Sequence, residues 1–117
     1  MDGTGAKGGP AGAGNGALLD VGPLPGRPGI RASGEINVST RLSWENALTD
    51  LSRRHTDVSY VELSGVRFVD VAGVTALAVT AMNLPAGRVV VEHPPPQLPR
   101  VLDLFWPSLQ RIEVAPR

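Results

Sequence analysis

No cysteine occurs among the 117 residues. That excludes a disulfide framework and any thiolate metal site. Net charge is absent too: 11 basic residues balance 11 acidic ones, and no basic run breaks their interspersion. The chain therefore offers no electrostatic footprint for nucleic acid or an anionic membrane. No apolar run approaches the roughly 18 residues a membrane-crossing helix needs. The N-terminus lacks the basic-then-apolar order of a signal peptide, so a cytoplasmic location is expected. Histidine occurs only at His55 and His93. Neither sits in an H-E-x-x-H pattern, and no metal or other cofactor is expected. No G-x-S-x-G elbow is present.

The composition that remains suits one small globular domain, with 42% hydrophobic residues. Residues 1–16 stand apart. They hold seven of the 14 glycines and no periodic apolar pattern. Such a segment cannot bury enough surface to offset its ordering entropy, so a disordered tail is expected, with the domain spanning 17–117. The tail contains a literal G-x-G-x-x-G at Gly3, Gly5 and Gly8. It lacks the preceding strand and following helix that dinucleotide binding requires.

From residue 17 onward, patterning predicts alternating elements. Ala17–Val21 and Ile30–Ile36 read as strands around the turn-rich Pro23–Gly29, which predicts an antiparallel hairpin. Ser39 or Thr40 is placed to cap a helix whose Trp44, Ala47, Leu48 and Leu51 fall at i, i+3, i+4 and i+7. His55 would lie at its C-terminal end. Val58–Leu63 alternates as a strand, Ser64-Gly65 interrupts it, and Val66–Val69 continues extended to Asp70. A second helix follows, with Val74, Leu77, Ala78 and Ala81 on one face, ended by Asn83–Gly87. Arg88–Glu92 is a short apolar strand. Leu98, Val101, Leu102 and Phe105 mark a third helix with Pro99 in its first turn. Arg111–Val114 is a last strand. The predicted fold is α/β, a mixed sheet in the order β-β-α-β-α-β-α-β packed by helices.

One stretch of this plan is chemically distinctive. From Val71 to Gly87 there is no charged residue. The outward side of the helix offers Ala72, Thr75, Ala76, Val79 and Thr80. A helix without a charged face is buried or meets a partner. Asp70 stands at its mouth as a cap, and Gly73 permits close backbone approach. A Ser64, His93 and Asp70 set can be written as a hydrolase constellation, and it requires the nucleophile and base to touch.

Three segments taken together resemble a known family. They are Gly34-Glu35-Ile36-Asn37 before a helix, Glu62-Leu63-Ser64-Gly65-Val66 on a strand, and Phe68-Val69-Asp70-Val71-Ala72-Gly73-Val74 at a strand-to-helix turn. With Pro94-Pro95-Pro96 ahead of Leu98 and Arg100-Val101-Leu102, they are similar to the STAS domain of bacterial anti-sigma factor antagonists, over residues 17–115. The resemblance implies a non-enzymatic protein that binds an anti-sigma factor of the serine-kinase type. It implies a partner surface around Asp70, Val71, Ala72, Gly73 and Thr75, with Glu35, Asn37 and Ser64 near it. In regulated members of the family a phosphorylated serine directly follows the aspartate. Here that position is Val71, which has no hydroxyl, so the switch is missing at its usual place. The alternative is a ligand-sensing module of the same fold that holds a nucleotide or other small molecule near the Asp70 turn.

Overall fold

The computed structural model describes residues 18–54 and 57–115. The expectations for the glycine-rich 1–16 segment and for His55 lie outside these residues. The order of elements is β1 (Leu19–Pro23), β2 (Gly29–Ile36), a 3-10 turn (Val38–Thr40), α1 (Arg41–Ser52), β3 (Val58–Val69), α2 (Val71–Met82), β4 (Arg88–Glu92), α3 (Gln97–Phe105) and β5 (Ile112–Val114). This matches the predicted α/β order. Of the expected first strand, Ala17 lies outside the described residues, and β1 runs on past Val21 to Pro23.

The strands form one mixed sheet in the order β1-β2-β3-β4-β5. β1 pairs antiparallel with β2, and the remaining pairs are parallel. Each parallel neighbour is reached through a helix, and right-handed crossovers in one direction along the sheet put all three helices on the same face. α2 accordingly lies between α1 and α3. The core fills the space between. Ile30, Ile36, Val61, Leu63, Val89 and Val91 come from the sheet, and Trp44, Leu48, Leu51, Val74, Leu77 and Leu98 from the helices. Within α1 and α2 the residues picked out by the 3.6-residue period are buried, except that Ala47 is half-buried, and Gly73 is buried in addition. In α3 the period holds for Leu98 and Leu102, but Phe105 is 55% exposed. Phe105 is the last residue of the helix.

The opposite face of the sheet is polar. Arg31, Tyr60, Glu62, Val90, Glu92 and Glu113 point there, out of phase with the core residues. Arg27 crosses this face. Its guanidinium makes a two-pronged contact with Glu92, at 2.9 and 2.7 Å, and lies 4.4 Å from the centre of the Tyr60 ring.

β3 differs from its prediction. Ser64-Gly65 does not interrupt it; the strand runs unbroken from Val58 to Val69. It absorbs two extra residues against β2, one between Arg31 and Ser33 and one between Gly34 and Glu35. These are bulges, which insert a residue on one strand and bend it without ending the pairing. The buried positions therefore pass from alternation to Leu63, Val66 and Val69, three residues apart. Gly65 sits at the first bulge, where a Cβ would come 2.6 Å from the Ser33 Cβ.

Candidate interaction site at the strand–helix junction

The C-terminal end of β3 is fixed before α2 begins. Val69 is buried in the core. The Asp70 amide then donates to the Ile36 carbonyl at 3.0 Å, extending the β2–β3 ladder by one bond. Asp70 keeps an extended backbone, and its Oδ1 accepts from the Gly73 amide at 2.7 Å. This satisfies one of the donors that a helix N-terminus leaves unpaired, and it sets a negative charge at the positive end of the helix dipole. The expected cap is thus in place.

Two further contacts lock the first turn of α2. The Trp44 indole, wholly buried in α1, donates from Nε1 to the Gly73 carbonyl at 2.9 Å. At Gly73 itself, a Cβ would come 2.6 Å from Ile36 Cγ2 and 2.8 Å from Val69 Cγ2. Glycine is required here because the helix presses directly on the sheet. The sequence suggested close approach of another backbone; the approaching atoms are side-chain methyls of this domain's own β2 and β3.

Held this way, Val71 projects outward and is 52% exposed. Ala72 and Thr75 are half-buried beside it. The Thr75 hydroxyl donates to the Val71 carbonyl at 2.9 Å, a bond back to its own helix. Val71, Ala72, Thr75, Ala76 and Val79 form one wall of a groove of about 810 Å3. Arg41, Glu45 and Leu48 of α1 are on the other. The uncharged outer side predicted for α2 is therefore the α2 wall of this groove. The α1 wall was not anticipated, although Arg41, Glu45 and Leu48 follow the helical i, i+4, i+7 spacing beside the buried stripe. Exposed apolar side chains around the junction were also missed. Val38 is 75% exposed, Leu42 71% and Phe68 39%. Phe68 is turned out by the second bulge in β3, which strand alternation alone does not reveal.

Glu35 and Asn37 lie at the same end of the sheet, since Ile36 pairs with Val69. Their side chains are engaged locally. Asn37 caps the 3-10 turn, accepting from the Ser39 and Thr40 amides at 2.9 and 3.3 Å. Thr40 does stand at the cap position of α1, as expected, but its side chain makes no capping bond there; Asn37 caps the 3-10 turn ahead of it. The Thr40 hydroxyl accepts from the Asn37 amide at 3.0 Å, completing the capping box of that turn, and donates to the Glu35 carbonyl at 2.7 Å. The Glu35 carboxylate accepts from Asn37 Nδ2 at 3.3 Å and pairs with Arg67 at 3.4 Å.

Ser64 is not part of this group. It stands six residues before Asp70, which directly follows the strand, a separation of up to roughly 20 Å at the rise of an extended chain. Its hydroxyl donates to Glu62 Oε1 at 2.8 Å, and the other oxygen of Glu62 lies 2.7 Å from His93 Nδ1. Burial by itself would raise the Glu62 pKa; the bonds from Ser64 and His93 outweigh it and hold the carboxyl below its usual range. The paper set of Ser64, His93 and Asp70 is therefore not assembled. The carboxylate stands between hydroxyl and imidazole, whereas a nucleophilic serine needs the imidazole in the middle to take its proton. No group of three or more metal-ligating side chains forms among the described residues. No described helix is long and apolar enough to cross a membrane.

No protein-family model matches the chain, and no curated protein matches it.

Proposed function

We propose that this protein is a non-enzymatic signalling domain of STAS type. It acts in the cytoplasm as an anti-sigma factor antagonist that binds an anti-sigma factor of the serine-kinase type. One observation carries the reading. The first turn of α2 is capped and packed, and the side chain it presents, Val71, is apolar and half-exposed on the uncharged α2 wall of the groove. A rigid apolar edge suits recognition, because little ordering entropy is lost when a partner covers it. The resemblance of the Asp70 turn to the family's turn, and the agreement of element order, support the same reading. In this protein the contact is constitutive at position 71, because valine cannot accept a phosphoryl group.

The test is Val71→Asp. A carboxylate in the first turn of α2 is favoured by the helix dipole, so the fold is retained or slightly strengthened. In a partner interface the same charge must be desolvated, which is costly. Wild-type and variant protein serve as baits in the native lysate. The expected result is a kinase-type protein held by the wild type and lost from the variant. Equal retention by both baits refutes the assignment.

A second reading, a small-molecule sensor, draws on the groove. Its volume of about 810 Å3 falls within the range of ligand pockets, roughly 300–1,000 Å3. A nucleotide that occupied it would raise the unfolding temperature by mass action. A nucleotide panel without any shift counts against that reading.

A further inference from the structure

The α1–α2 groove carries a charge pattern that the proposed antagonist role does not use. Arg41 and Glu45 sit one turn apart on α1, both lining the groove. At that spacing an arginine and a glutamate can pair within the helix. Here they do not, and neither side chain has a hydrogen bond or ion pair among the described residues. Across the groove, the wall from α2 has no charge to offer either of them. The surface around them is apolar. Leu42 is 71% exposed on the outward side of the same turn, and Val71, Val79 and Met82 are 52%, 41% and 44% exposed along α2.

We infer that this face is where two copies of the chain associate. The occupant is a second copy because the pattern complements itself. A two-fold axis crossing the first turns of α1 and α2 runs each helix antiparallel to its equivalent. It sets Arg41 against Glu45 of the partner subunit, and Glu45 against Arg41 of the partner subunit, so one unpaired couple becomes two satisfied pairs. The α2 helices then meet through a surface that has no like charges to oppose. The half-buried Ala72 and Ala76, one turn apart, keep that surface low enough for close approach. Val71 and Leu42 pass from water into the contact, which supplies the apolar drive. A dimer built this way covers the same Val71 edge assigned to the anti-sigma partner. Self-association and partner binding are then mutually exclusive.

The pairing makes a test that needs no other protein. Arg41→Glu leaves two acidic residues at the pair positions, and Glu45→Arg leaves two basic ones. Each variant opposes itself across the axis, but the two complement each other. Sedimentation equilibrium on the full chain is expected to give twice the 12.3 kDa monomer mass for wild type. Each single variant is expected at the monomer mass, and an equimolar mixture of the two at the dimer mass again. The double variant, Arg41→Glu with Glu45→Arg, is expected to dimerise alone. A variant that merely unfolded would not regain the dimer on mixing, so the mixture controls for folding. Three results overturn the proposal. They are a wild type that stays monomeric to millimolar concentration, single variants that stay dimeric, and a mixture that stays monomeric. The first of these leaves the groove to another protein or to a small molecule.

Discussion

Replacing Gly73 by alanine sets two well-measured effects against each other. Alanine is the better helix former, and in a helix interior the change is worth about 1 kcal/mol in its favour. Against it stands the geometry. The new Cβ would lie 2.6 Å from Ile36 Cγ2, 2.8 Å from Val69 Cγ2 and 3.2 Å from Asp70 Oδ1. The first two are atoms of buried β-branched side chains, each only 1% exposed and stiff about χ1. Neither can turn aside without disturbing the sheet. Overpacking of this kind costs about 1–3 kcal/mol, and two clashes against rigid neighbours place it in the upper half of that range. The net expectation is a loss of about 1–2 kcal/mol. In a domain of this size that lowers the unfolding temperature by roughly 5–15 °C. Urea titration followed by circular dichroism reads the change directly. Ala76→Gly, on the groove side of the same helix, is the matched control and should lose about 1 kcal/mol from helix propensity alone. A Gly73→Ala protein as stable as wild type, or more so, refutes the claim that α2 is pressed against the sheet at this point.

The cap and the polar face make separate predictions. Asp70→Ala removes the acceptor of the Gly73 amide and should cost about 1 kcal/mol, read from the same titration; Asp70→Asn, which keeps an acceptor, should recover most of it. Glu62 is held below the ordinary carboxylate range in the folded chain. Its contribution is therefore present above the unfolded pKa, near 4.3, and is lost as pH falls through the depressed folded value. Urea midpoints from pH 6 down toward about pH 3 should fall more steeply for wild type than for Glu62→Gln, and parallel curves would contradict this.

Much of the fold could be read from the residues because its signals are local. The buried stripes of α1 and α2 follow from 3.6-residue spacing, and β4 was bounded to the residue by Gly87 before it and the prolines after Glu92. The departures arise where one element depends on another. No local pattern announces the two bulges in β3, since they exist only relative to the register of β2. Ser64 was grouped with Asp70 on the family resemblance, although the unbroken strand holds them apart. Asn37 was read as a recognition residue, but its side chain is used by the 3-10 turn, whose presence ahead of α1 no periodicity signals. Part of the junction was legible: the Asp70 cap and the uncharged outer side of α2 follow from residue type, whereas Val71 was singled out only by the family resemblance. The Trp44 bond to the Gly73 carbonyl was not, because the tryptophan's place in an apolar stripe accounts for its ring and says nothing of its N–H.

The two bulges in β3 make the orientation of Asp70 a matter of counting. Side chains on an extended strand change sides at every residue, so each inserted residue acts as a half-turn of phase. Two insertions return the strand to its starting phase, and Val69 faces the helices as Val61 does. The aim of the Asp70 turn thus rests on parity, on the number of residues between Leu63 and Val69 as much as on their identity. Conservative substitutions leave that parity untouched. A length change of one residue inverts it, exchanging what the end of the strand shows to the core and to water.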